Sequence, residues 1–331
     1  MAPAKTVIIV RVPNGANPPY IHSSGRIYRR VADSSEPKPE TDRAVIDLLV
    51  NRSRQSREQP GSFLTAEHVL SEAESSNSFL RLFFMQDLFG DRGDTIGVSF
   101  SEFAELARSP ASSPISVNFD NMFTMSKGFV ARYVGENNPQ YRLLTWEFYG
   151  SGASIFTVPL LVRDPRHNSQ FKFAIDFALE LRKLRAENTI DANQLLVMLA
   201  ALYGMHLAAI NKAGIAGPVL SKARLLNVWR KIPFFDSEPF LLHVRKYGVP
   251  VGQEDSVFAL PGTTPESFLE LGIQKTTAAS ECDGPVSVIA GVTELFVSIA
   301  EALGVPREVL GQPASELFSA AERSLPITYR Q

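Results

Sequence analysis

Leu195 to Ile210, LLVMLAALYGMHLAAI, is sixteen residues long and apolar apart from the hydroxyl of Tyr203 and the imidazole of His206. A helix that is apolar on every side has no face for water. It must lie in a membrane or at the centre of a large core. Crossing a bilayer takes roughly twenty apolar residues. This run is shorter, which predicts a buried central helix with His206 hydrogen-bonded inside the core. The remaining chain must then supply layers around it. Its 331 residues, 44% hydrophobic and 21% charged, provide the material of a soluble globular protein, and the length predicts two or three domains.

Upstream of that helix the apolar pattern has the short period of strands. Ser78 to Met85, Val117 to Ser126, Phe129 to Val134, Tyr141 to Tyr149 and Ser154 to Leu161 are rich in β-branched and aromatic residues. Lys127-Gly128, Gly135 to Pro139 and Gly150-Ser151-Gly152 separate the last four as loop-like breaks. Ser101 to Arg108 is expected as a short helix with Phe103, Leu106 and Ala107 on one face. These segments predict an antiparallel β-rich domain over residues 62–165, with Trp146 and Phe148 in its core.

From Phe171 the period becomes helical, and residues 166–331 are expected as a helical domain. Asp191 is expected to cap the central helix. Ser221 to Lys231, Glu238 to Tyr247, Pro285 to Gly304 and Pro313 to Arg323 are read as further helices, with Gly248 to Thr264 rich in loops. Lys222, Arg224, Arg230 and Lys231 with Trp229 form a basic-aromatic cluster. Its simplest reading is a helix that buries Trp229 while the cationic tips reach solvent.

The motifs of common chemistry are missing. The histidines His22, His68, His167, His206 and His243 are scattered, with neither H-E-x-x-H nor a Cys/His pattern. The sequence holds no G-x-x-x-x-G-K-S/T loop, no G-x-G-x-x-G and no G-x-S-x-G. Gly90 to Asp94 has too few oxygen ligands for a calcium loop. The lone cysteine, Cys282, excludes an internal disulfide framework and fits a reducing cytoplasm. The first residues, MAPAKTVIIVRVPN, lack the layout of a signal peptide. No catalytic residue, metal or cofactor is therefore assigned.

Charge is uneven. Residues 1–60 hold ten Lys/Arg against six Asp/Glu, a net of +4, which leaves −6 for the rest of a chain of net −2. A basic end on a mildly acidic body fits a local anion site. Within that end, Val7 to Val12 reads as a strand and Ser23-Ser24-Gly25 as a turn. Arg26 to Val31 reads as a second strand. Ile27, Arg29 and Val31 share one face; Arg26, Tyr28 and Arg30 share the other. Guanidinium forks match phosphate oxygens, and a phenol ring offers a stacking surface. Ser34 to Pro39 is expected as a loop. Glu40-Thr41-Asp42 then opens a helix with acids at its positive end, its apolar stripe being Val45, Leu48 and Leu49. Arg52 to Ser62, polar and carrying Pro60-Gly61, reads as a linker.

The segment Asn17–Asn51, with its core of Gly25, Ile27, Tyr28 and Arg30, the loop Asp33 to Glu36 and the helix Thr41 to Arg52, resembles the second half of the DNA-binding domain of the Schlafen/Alba-like family, also known as divergent AAA. The resemblance covers about the first sixth of the chain. Full domains of that family open with a helix, a strand carrying E-F-K and an F-A-N-x-x-G-G segment, none of which is present. The missing half is expected upstream of Met1, on a partner chain or second copy, or absent from a fragment. The nuclease branch draws its acids from that half, so nuclease activity gains no support. The family's ATP-binding label gains none either, for want of a phosphate loop.

The expected fold class is α+β: a partial Alba-like α/β unit over residues 1–57, the β-rich domain and the helical domain. The resemblance implies a bacterial, cytoplasmic protein that binds nucleic acid, DNA ahead of RNA. Arg26, Arg29, Arg30, His22 and Lys38 would contact the backbone, and Tyr28 would position the hairpin. The alternative is an interaction or assembly module with no nucleic-acid binding. No membrane partner is expected.

Overall fold

The computed structural model describes residues 19–29, 36–65, 74, 77–86, 97–108, 119–135, 143–162, 164–167, 169–181, 189–215, 219–259, 269–271 and 285–310. Two compact units result, one reaching Ala66 and the other beginning at Glu67. The protein is α+β.

The first unit contains β1 (Tyr28–Arg29), β2 (Lys38–Pro39) and α1 (Arg43–Thr65). Lys38 and Pro39, expected in a loop, are a short strand antiparallel to β1. Proline is tolerated there because so short a pairing needs few ladder donors. The linker expected over Arg52 to Ser62 lies within α1. Its run of Arg, Gln and Glu has good intrinsic helix propensity, which a reading by polarity alone undervalues. Val7 to Val12 lies outside the described residues.

The second unit carries, in chain order, β3 (Ser78–Gln86), α2 (Phe100–Arg108), β4 (Asn121–Met125), β5 (Gly128–Arg132), β6 (Thr145–Tyr149), β7 (Ser154–Leu160), α3 (Ala174–Leu181), β8 (Thr189–Asp191), α4 (Leu195–Lys212), β9 (Val219–Leu226), β10 (Ile232–Phe234), α5 (Glu238–Tyr247), β11 (Ser256–Phe258), β12 (Leu269–Leu271) and α6 (Pro285–Ala302). An eight-stranded sheet runs β11-β9-β3-β7-β6-β5-β4, with β12 also on β9. All its pairings are antiparallel. A separate parallel pair joins β8 to β10.

Two corrections follow. Ser221 to Leu226, expected as helix, is strand β9, seated beside β3 in the sheet. Its alternation of Ser221, Ala223 and Leu225 with Lys222, Arg224 and Leu226 is a period-two pattern, and basic side chains among apolar ones made it look helical. Strands from both sides of residue 165 therefore share one sheet, so the expected β-rich and helical domains form one body.

Register explains the layering. Leu80, Leu82 and Phe84 pair across to Val158, Phe156 and Ser154, and on the other side to Leu225, Ala223 and Ser221. Directly opposed residues share a face, and this face joins α2, α4 and α6 in one core. Trp146 and Phe148 lie in it at 0% and 1% exposure, with Trp146 stacked on Phe156 at 5.3 Å. Phe103 of α2 reaches the same indole, 4.8 Å from it. Helix α4 is long and apolar enough to cross a membrane, yet 72% of it is buried inside the protein, which makes it the central core helix. Asp191 does not cap it. It ends β8, and α4 starts after Gln194 without a side-chain cap.

Candidate nucleic-acid interface

The hairpin of the first unit is built by its turn. Gly25 sits at φ +75°, in the left-handed region where a glycine costs little. Its N–H donates to His22 O at 2.8 Å, and His22 N–H donates to Arg26 O at 2.9 Å. Ile21 bridges Ile27, and Tyr28 and Arg29 pair with Pro39 and Lys38. Glu40 N–H then donates to Ile27 O at 2.8 Å. The chain so returns to the start of α1, where Asp42 Oδ1 accepts the Ala44 N–H at 2.9 Å. The acids expected at this helix start do cap it.

Alternation divides the candidate residues between two faces. On one, Ile27 is half-buried, Glu40 is nearly inaccessible, and Arg29 lies diagonally from Glu40 and opposite Lys38. Arg29 Nε stands 2.9 Å from Glu40 Oε2, with the side chains 54% and 4% exposed. The N–H does not point along that line, so Oε2 has close charge contact but no hydrogen bond. Glu40 Oε1 accepts the Asp42 N–H at 2.9 Å. The Arg29–Glu40 pair thus ties hairpin to helix.

The other face carries Arg26, His22 and Tyr28. The rings of His22 and Tyr28 meet edge to face at 5.5 Å. Ser24 N–H donates to His22 Nδ1 at 3.2 Å, so a neutral ring keeps its proton on Nε2. Ser24 Oγ lies 3.0 Å from the same nitrogen and 3.5 Å from the Tyr28 hydroxyl. Tyr28 is therefore engaged within the hairpin. Arg26 and Lys38 are exposed and meet no carboxylate among the described residues. Arg30 lies outside the described residues. Of the six sequence-derived positions, His22 and Tyr28 meet ring to ring, Arg26 is joined to His22 through the backbone, and Arg29 pairs with Lys38 across the two strands.

The second basic-aromatic cluster differs from its expected form. Trp229 follows a strand and is 52% exposed, with the Arg230 guanidinium 4.2 Å over its ring. Lys222 and Arg224 project from the sheet face opposite the helices, both near the Phe258 ring.

Two buried polar networks lie elsewhere. Ser154 Oγ accepts the Trp146 indole N–H at 3.0 Å and lies 2.9 Å from His206 Nδ1. Burial depresses the His206 pKa to about 3, so the ring is neutral. The second network was not visible from the sequence, because Asp236 meets Asn193 from 43 residues away and Lys172 from 64. Asn193 donates to Asp191 Oδ1 at 2.9 Å and accepts the Asp236 N–H at 2.7 Å. Asp236 in turn accepts the Lys172 and Phe173 N–H groups ahead of α3. Both Asp236 oxygens accept backbone N–H groups, an arrangement that fixes loops. Among the described residues no cluster of three His, Cys, Asp or Glu could hold a metal ion. Comparison of the chain with protein-family models, curated proteins and solved structures found no match.

Proposed function

We propose that the first unit binds a nucleic-acid backbone, DNA ahead of RNA, through its hairpin, with Arg26 as one phosphate contact, His22 and Tyr28 shaping the turn, and Lys38, on the strand opposite Arg29, as a second contact. The observation that carries this reading is the exposed Arg26, in the same hairpin as the His22–Tyr28 aromatic pair and with no ion pair to a carboxylate among the described residues. The resemblance of residues 17–51 to the Schlafen/Alba-like domain supports it, as does the net charge of +4 over residues 1–60. Arg29 serves the hairpin in this reading, and its Glu40 partner keeps it from acting as a free cation. The setting proposed is the cytoplasm. Titration of labelled duplex DNA and of RNA, followed by fluorescence anisotropy, tests the proposal. Phosphate contacts would make affinity fall steeply with salt.

A second reading, a protein-docking module, draws on a different observation. Tyr20, Ile21 and Leu48 are 60%, 69% and 66% exposed on the same unit. Large exposed apolar side chains in one region mark interaction surfaces. Self-association that persists at high salt, without DNA binding, would favour this reading over the first.

A further inference from the structure

The outermost strand of the large sheet leaves a row of backbone groups open. Strand β4 stands at one end of the sheet and, among the described residues, pairs with β5 alone. At the ends of β6, Gly150 N–H donates to Lys127 O, and Tyr133 N–H donates to Leu144 O. The odd-numbered residues from Lys127 to Tyr133 therefore direct their backbone groups toward β6, and Gly128, Val130 and Arg132 direct theirs toward β4. The partners of these three across the hairpin are Met125, Phe123 and Asn121. By the same alternation, the N–H and C=O of Met122 and Thr124 point to the open side.

Proteins guard such edges by keeping them short, or with proline or charge, lysine above all. At the sheet's other end, β11 and β12 are three residues each. Strand β4 has five, Asn-Met-Phe-Thr-Met, with neither a charge nor a proline. It is not covered either: Asn121, Phe123 and Thr124 are exposed, Phe123 at 42%.

The row of donors and acceptors sets what this edge accepts, which is another extended strand. The sequence of β4 fits its own copy. Turned antiparallel about Phe123, a second β4 sets Met122 of each chain opposite Thr124 of the other. These are the residues whose backbone groups face outward, so each such pair exchanges both N–H···O bonds. Phe123 then faces Phe123 at the two-fold axis, in a non-hydrogen-bonded pair, where side chains approach most closely. Directly opposed aromatic residues attract, and no like charges oppose one another along the strand. The neighbouring registers that keep the alternation overlap less and bring Asp120 or Ser126 into the pairing. Asp120 ends the strand, its carboxylate holding the Val134 and Gly135 N–H groups. We propose that β4 pairs with β4 of a second copy of this chain, antiparallel and in register about Phe123, in a two-fold symmetric dimer. The surface belongs to the second unit and does not depend on the nucleic-acid reading of the first.

Sedimentation equilibrium of the full chain tests this. At chain concentrations up to about 0.1 mM, the expected species has twice the 36.4 kDa of one chain. High salt should leave it intact, because the contact is uncharged. Phe123→Lys and Phe123→Glu each set like charges against one another at the axis, and each should weaken self-association about tenfold or more. An equal mixture of those two variants should associate again, since lysine then faces glutamate. That recovery requires residue 123 to oppose itself, and a change in folding would not produce it. Thr124→Pro removes an outward N–H that β5 does not use, so it should abolish the dimer and leave the chain folded. The emission of the fully buried Trp146 should stay resistant to acrylamide in all three variants. A monomer at about 0.1 mM would overturn the proposal, as would failure of the mixed variants to associate. A dimer that survives all three substitutions would also overturn it, and would place self-association on another surface, such as the exposed Tyr20, Ile21 and Leu48 of the first unit.

Discussion

The Glu40 carboxylate, 4% exposed, lies 2.9 Å from Arg29 Nε and joins the N-terminal hairpin to the helix that follows it. A pair whose cation is half in water contributes up to about 1 kcal/mol, and removing that cation strands a buried anion, which adds to the loss. Arg29→Ala should therefore loosen the hairpin by roughly 1–2 kcal/mol. Hydrogen exchange at the His22 and Glu40 amides, both bonded across the hairpin, would show the change. Arg26→Ala should leave those amides as protected as before, because its side chain makes no such link.

Ser154 serves two partners in the core, the Trp146 indole and the His206 ring. Ser154→Ala leaves both without that oxygen and should destabilise by roughly 2–4 kcal/mol in urea unfolding, the sum of two stranded groups. His206 also makes a pH prediction. Its folded pKa of about 3 is below the ordinary 6.5, because burial penalises the charged ring. The unfolded chain takes up a proton that the core refuses. Stability present above pH 6.5 should thus fall on acidification, by roughly 1.4 kcal/mol per pH unit until the folded value is reached. His206→Gln, which cannot titrate, should have a shallower decline between pH 6 and 4 when urea midpoints are compared.

Gly252 and Gly204 should respond oppositely to alanine. At Gly252 the new methyl would meet Val228 O at 2.1 Å. The backbone must move, at a cost of roughly 1–3 kcal/mol, and the quenching of Trp229 should change with it. At Gly204, inside α4, no atom lies within 4 Å of the added carbon. Gly204→Ala should stabilise by about 0.5–1 kcal/mol through helix propensity. Thermal unfolding of the two variants, measured side by side, checks both signs.

Asn193 is the joint between Asp191 and Asp236. Asn193→Asp keeps the shape but places an oxygen where an N–H faced the Asp191 carboxylate. Two acids would then compete for one buried space, and the new carboxyl should resist ionisation. A raised folded pKa contributes stability that is lost as pH rises. The variant should therefore be more destabilised at pH 7 than at pH 4.5, relative to the parent, in urea unfolding.

The sequence pattern reads most clearly where a side chain's neighbours along the chain decide its face. Strands β3, β6 and β7, helices α2 and α5, and the burial of Trp146, Phe148 and His206 follow from local period and apolar content. Strand β9 does not, because its Lys222 and Arg224 are placed by pairing with β3, more than a hundred residues earlier. Trp229 is similar: its exposure comes from a turn fixed by Asn77, Ser78 and Gly252, none of them close in sequence. In the candidate interface, Tyr28 and Arg29 are strand neighbours opposite Pro39 and Lys38, as the strand reading of this segment expects. The role of Glu40 as the partner of Arg29 depended on β2, which two prolines had made look like a loop.

The most direct test of nucleic-acid binding is the salt dependence of duplex DNA affinity for the full chain and for the combined Arg26→Ala and Lys38→Ala variant, by fluorescence anisotropy between about 50 and 200 mM salt. The account predicts that the parent binds with a steep negative slope of log affinity against log salt. The variant should bind more weakly, with a slope shallower by about two, one unit for each phosphate contact removed. Equal affinity and slope in parent and variant, or no binding by the parent at the lowest salt, would contradict it.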